Sequence, residues 1–238
     1  MAFGTERRTA PTRVVERAVI DEGLRTYMLS VYNYMASGLA LTGAVAFFVA
    51  NTPVLMNAVF GTPLIWLVMF SPLIIVFMLS ARIHKMSVVA AQATFWVFAT
   101  LMGMSLASIF IVYTGTSIAR VFFITAGVFG AMSLYGYTTK RDLTGWGSFL
   151  FMGLIGVIIA SIVNIFLGSS MLYFAISVIG VLVFTGLTAY DTQKIKEMYV
   201  ESDASAVATK KAIMGALRLY LDFINLFLML LRLFGNRN

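Results

Sequence analysis

Cysteine is absent from the 238 residues, which rules out disulfides and thiolate metal sites and leaves the redox compartment open. Charge is scarce. Lys, Arg, Asp and Glu make up 11% of the chain, against about 25% in a soluble domain. The single histidine, His84, stands in the basic turn Arg82-Ile83-His84-Lys85, where it reads as a solvated loop residue outside any zinc motif. Phosphate-cradling loops and nucleophile elbows are missing, so neither an enzyme nor a cofactor is expected. A net charge of +7 could suggest nucleic acid. The basic residues, however, sit at the termini and in short breaks between apolar runs, as membrane topology places them and not as a nucleic-acid face requires.

What the chain has in excess is apolar surface, with 60% of its residues hydrophobic. One water-facing globule of this length cannot bury that much, so the lipid bilayer becomes an expected partner. Runs of spanning length recur with short polar breaks, each near the roughly 20 residues that cross about 30 Å of hydrocarbon. The spans read as Met28–Ala50, Pro63–Ala81, Val88–Val112, Ser117–Tyr137, Gly145–Leu167, Met171–Asp191 and Ala212–Phe234. Backbone groups in lipid must bond within their own segment, and the alternation of barrel strands is missing, so the fold class is an all-α integral membrane protein of seven transmembrane helices. Residues 1–27, with five arginines and four acids, form a cytoplasmic N-terminal segment ahead of a transmembrane domain at 28–238. The stretch after it is long enough to span and reads as a retained first helix, not a cleaved signal.

Lys and Arg counts in successive segments run 5, 0, 2, 0, 2, 0, 4, which places the N-terminus inside. Seven crossings then put the C-terminus outside despite Arg232 and Arg237. The last helix either crosses and tolerates them or re-enters, and a crossing is the preferred reading. A retinal protein is excluded, because all six lysines lie in the breaks and none is available for a Schiff base in the last span. Small residues four apart (Gly103/Ala107, Ala126/Gly130, Gly156/Ala160) are expected to pack helices closely.

Ionisable residues inside spans are costly, by about 2.5–3.5 kcal/mol each on insertion scales, and therefore informative. Asp191 closes the sixth span near the inner face, either as a water-facing residue or as half of a carboxylate pair. Asp222 lies ten residues into the seventh span, either bonded along its own helix to Arg218 or facing Asp191. Two close carboxylates cannot both ionise cheaply, so such a pair would titrate as a unit and attract cations. Asn225 extends a polar stripe, Arg218–Asp222–Asn225, on an otherwise apolar helix, as expected of a buried helix facing a wet path. Arg82, at the inner end of the second span, could pair with Asp191 or snorkel to the headgroups. Arg120 reads as an outer interfacial anchor.

Three stretches carry a resemblance: Met132-Ser133-Leu134-Tyr135-Gly136-Tyr137-Thr138-Thr139 continuing to Arg141-Asp142-Leu143-Thr144; Thr188-Ala189-Tyr190-Asp191-Thr192-Gln193-Lys194-Ile195; and Leu219-Tyr220-Leu221-Asp222-Phe223-Ile224-Asn225-Leu226-Phe227. With the span count they resemble the Bax inhibitor-1 (TMBIM, YccA-like) family in its bacterial branch, from Met28 onward. The resemblance implies a central seventh helix wrapped by the other six, and a pH-sensitive calcium leak of the bacterial inner membrane. Asp191 and Asp222 would be its proton-sharing pair and weak, transient calcium ligands, and Arg82 a latch to Asp191. It also implies an alternative, in which the protein modulates, or is a resistant substrate of, a membrane-anchored AAA protease engaged through Met1–Arg25.

Overall fold

The computed structural model describes the backbone of residues 10–238 and the side chains of residues 21–238. Apart from one isolated bridge, the regular structure among them is helical: α1 (Ala10–Ala50), α2 (Pro53–Phe60), α3 (Leu64–Arg82), α4 (Val88–Leu106), α5 (Ile109–Val112), α6 (Gly115–Thr138), α7 (Thr144–Leu167), α8 (Ser170–Glu197) and α9 (Ser205–Phe234). Seven stretches are long and apolar enough to cross a membrane, and they correspond one to one with the seven predicted spans.

Short polar residues punctuate the helices. Ser87, Thr114 and Ser169 each cap a helix by accepting from a backbone N–H of its first turn. Between α7 and α8 the chain reverses in two residues. Gly168 adopts φ +60, a conformation that favours glycine, and Asn164 Oδ1 accepts the next amide, from Ser169, at 3.0 Å. The first break contains a helix the sequence reading left out. Pro53 sits in the first turn of α2, where its missing N–H is no loss.

The sixth and seventh helices outrun the predicted spans. α8 continues past Asp191 to Glu197, and α9 starts at Ser205 instead of Ala212. Hydropathy marks where lipid ends, whereas the segments Thr192–Glu197 and Ser205–Lys211 are polar yet helical. Likewise α1 is 41 residues long, about 60 Å, roughly twice the hydrocarbon thickness. The proposed N-terminal handle lies partly outside the described residues.

α9 is the most buried span. It packs against α1, α4, α6 and α8, while α3 packs chiefly on α4 and α7 on α8. The close wrap is therefore by four helices, with α3 and α7 standing further out. Its core contacts are aromatic: Tyr220 meets Phe98 edge-on at 5.1 Å, and Phe223 meets Phe122 and Phe129 at 5.4 and 5.5 Å. Tyr220 also shares a 2.6 Å hydrogen bond with Thr42 of α1, which in turn donates to Ala99 O of α4.

The two ends of the bundle differ as the Lys/Arg alternation requires. At the basic end Lys210 donates to His84 O, and Lys196 to Tyr137 O. At the opposite end the C-terminal tail lies against the α5–α6 turn: Thr114 N–H donates to Asn236 O, Asn238 N–H to Val112 O, and Asn236 N–H to Ser117 Oγ. α9 is thus one continuous helix running from one end of the bundle to the other. Arg120 donates to Phe234 O, and Arg232 and Arg237 lie over the Tyr173 ring at 5.3 and 6.0 Å. All three arginines are therefore held near the carbonyl end of α9, where the helix dipole favours cations.

Only one of the three small-residue pairs marks a tight helix contact through its glycine. A Cβ on Gly103 would stand 2.6 Å from Thr42 O, but Gly130 and Gly156 face open space. Spacing alone cannot tell a packing face from a lipid face. The tight crossing that the pattern missed is at Gly136, where a Cβ would meet Ala189 O at 2.2 Å.

Candidate cation site

A cavity of about 830 Å³ lies between α9 and α8 on one side and α7, with Leu73 of α3, on the other. It fills the space that keeps α3 and α7 away from α9. Residues recurring every three or four positions bring Arg218, Asp222, Asn225 and Arg232 of α9 onto this face, as helical periodicity dictates. Asp191 and Tyr190 come from α8, and Ser148 and Ser161 from α7. The remaining lining is mostly apolar.

Asp191 and Asp222 face each other across the α8–α9 contact, close enough for a hydrogen bond once a proton lies between them. Asp222 is 5% exposed, and its Oδ2 is buried without a hydrogen-bond partner. Asp191 is more open, with a side chain 17% exposed. Asn225 donates Nδ2 to Leu221 O at 2.8 Å, which leaves its Oδ1 able to accept.

The cation beside Asp191 is Arg218, with Nη1 4.0 Å from Oδ1. Arg218 is the residue that the sequence reading gave to Asp222 as an intrahelical partner. The arginine expected as a latch, Arg82, is exposed, lines no part of this cavity and has no ion pair among the described residues. Its place at the α3 terminus puts it in the polar turn before α4, whereas Arg218 stands one turn before Asp222 on the buried helix. Arg218 and Leu221 also line a second cavity, of about 430 Å³, at the basic end beside His84 and Lys210. They form the partition between the two.

Three roles were missed in stretches already singled out. Ser133 shares hydrogen bonds with Tyr32 at 2.7 Å and Thr192 at 3.0 Å, tying α1, α6 and α8 together. Gln193, 7% exposed, accepts from Leu143 N–H through Oε1 and donates Nε2 to Arg141 O, both at 2.8 Å. Gly136 provides the close approach to Ala189. The first motif is therefore mainly a packing element, and the second combines an acid with two structural residues.

The family profile described as "Inhibitor of apoptosis-promoting Bax1" matches residues 24–238, nearly the whole chain. The chain belongs to the Bax inhibitor-1 family. Its relatives in the family include the inner membrane protein YbhL of Escherichia coli (strain K12), 53% identical over 219 residues, covering 90% of this chain and 93% of that one. The protein RP147 of Rickettsia prowazekii (strain Madrid E) is 54% identical over 226 residues, covering 95% and 96%. The membrane protein SpyM3_0260 of Streptococcus pyogenes serotype M3 is 38% identical over 221 residues, covering 92% and 96%. The three motifs all fall within the matched region.

Proposed function

We propose that this Bax inhibitor-1 family member is a cation leak of the bacterial inner membrane, most suited to calcium and controlled by protonation of Asp191 and Asp222. The observation that carries this reading is the buried, unpartnered Oδ2 of Asp222, set against a second carboxylate on a cavity of about 830 Å³. A buried carboxylate with no donor is unfavourable unless a proton or a cation completes it. Two carboxylates so placed hold one proton between them and titrate as a pair. With the Asn225 oxygen they offer fewer ligands than the six to eight that calcium prefers, so water completes the shell and the ion is held weakly, which suits passage. The seven spans, and the likeness to an inner membrane protein of E. coli, support the inner-membrane location. The charge alternation supports a cytoplasmic N-terminus.

In this reading Arg218 serves as a tethered counter-ion, occupying the place beside Asp191 that a permeating cation would take. The test is calcium flux into liposomes holding the purified protein, from acid to neutral pH, for wild type and Asp222→Asn. A pH-dependent influx whose profile the variant flattens is expected. Flux no greater than in empty liposomes at every pH would sink the proposal.

A second reading is modulation of a membrane-anchored AAA protease. It is favoured by α1 extending back to Ala10, well before the apolar run that begins at Met28, so that a charged arm precedes the bilayer. Removing residues 1–20 abolishes this role and spares a leak, whereas Asp222→Asn does the reverse.

A further inference from the structure

α6 and α7 each pack on α8 and leave an opening between them. The opening is a groove of about 570 Å³ whose floor is Val183, Gly186 and Ala189 of α8. Its walls are apolar along most of their length, and its basic end is rimmed by Tyr135, Trp146 and Arg141. Tyr135 and Trp146 are 44% and 61% exposed, as aromatic residues at headgroup level are.

The charges around this rim leave Arg141 available. Arg141 and its neighbour Lys140 are exposed and have no ion pair among the described residues. Asp142 turns its carboxylate to Thr144 N–H at 2.8 Å, and its bonds to Thr144 hold its carboxyl below the usual carboxylate range. Glu197 is engaged by Lys194, which also donates to Thr144 Oγ1. The loop is fixed as well. The two hydrogen bonds from buried Gln193 grip it at Arg141 O and Leu143 N–H, so Arg141 is presented from an anchored backbone.

We propose that this groove is a seat for one anionic phospholipid, with an acyl chain on the α8 floor and the phosphate on Arg141. A long apolar slot with a cation at one end matches an amphiphile with one anionic end, and basic pockets between spans bind anionic headgroups in this way. The groove between α1 and α6, about 600 Å³ and also apolar, provides the contrast. Its rim carries Arg25, but Asp21 and Glu22 lie within one turn on the same helix face and offset that charge.

The test is native mass spectrometry of the full chain in detergent, offered equal amounts of phosphatidylglycerol and phosphatidylcholine. The wild type retains phosphatidylglycerol about fivefold better, as one basic contact at a membrane surface provides. Arg141→Gln removes most of that preference, Arg141→Lys keeps it, and Arg25→Gln leaves it unchanged. Leu182→Trp, which fills the groove from an exposed position, lowers retention of both lipids. Arg141 is exposed, so the unfolding midpoint of Arg141→Gln stays at the wild-type value and separates lost binding from lost folding. Equal retention of the two lipids by the wild type would overturn the proposal. So would a preference that survives Arg141→Gln, unchanged retention in Leu182→Trp, or displacement by soluble glycerol phosphate as effective as by lipid.

Discussion

Arg218 of α9 and Asp191 of α8 face each other across their helix interface, with Nη1 4.0 Å from Oδ1. The distance is at the outer limit of an ion pair, and the arginine side chain is 49% exposed while the aspartate is 17% exposed. Such a pair is loose enough to be displaced by an incoming cation. Arg218 also lines the second cavity, so it stands where the two adjoin.

Replacing Arg218 with Gln is therefore expected to raise cation flux in liposomes by about two- to fivefold, the worth of one partly screened ion pair. Arg218→Lys should sit between the two. A fall in flux would show that the arginine helps the ion along instead of standing in its place.

Gly136 should tolerate no side chain. A Cβ there would stand 2.2 Å from Ala189 O, a backbone atom that cannot swing aside, so Gly136→Ala is expected to destabilise by about 1–3 kcal/mol through overpacking. Gly127 faces open space, and Gly127→Ala should stay within about 0.5 kcal/mol of wild type. Thermal unfolding in detergent compares the two variants directly.

Tyr220 is fully buried and hydrogen-bonded to Thr42, so Tyr220→Phe keeps the ring packing and loses one bond. The expected loss is about 0.5–1.5 kcal/mol, because Thr42 retains its bond to Ala99 O. Tyr220→Ala should lose about 3–5 kcal/mol by leaving a cavity among Phe95 and Phe98. The order Ala well below Phe, read from unfolding midpoints, checks that the ring outweighs the hydroxyl.

Asp142 links the start of α7 to pH. Its bonds to Thr144 hold its carboxyl below the ordinary aspartate value of 3.8, so its stabilisation is present above that value and fades as the pH falls through the lower folded-state one. Asp142→Ala should lower the unfolding midpoint at neutral pH. The gap from wild type should close only in strong acid, and a gap that closed near neutrality would implicate a different group.

Much of this was legible in the sequence because lipid imposes a simple rule. Apolar runs of fixed length and a Lys/Arg alternation located all seven spans and the polar stripe Arg218–Asp222–Asn225 that now lines the cavity. The partner of Asp191 was not legible. Arg82 and Arg218 both carry one cation near the basic end of a span, and only the rotation of α9 about its axis decides which of them points at the acid. The role of Gln193 was hidden for a similar reason, since its partners are backbone atoms of a loop some 50 positions away in the chain. Helix ends were misjudged where polar residues continue the helix beyond the lipid.

The bonds between the C-terminal tail and the α5–α6 turn have a mechanical consequence. They moor α9 at Phe234, so a tilt of the helix swings its opposite end as a lever swings about a hinge. Asp222 lies twelve residues from that hinge, about 18 Å along the axis, and a tilt of about 5° would carry it roughly 1.5 Å, a displacement typical of helix shifts in switching proteins. The same tilt barely moves Arg232. Displacement therefore grows toward the basic end of α9, so the Asp222 carboxylate shifts against α8 while the aromatic-stacked arginines near the hinge stay in register.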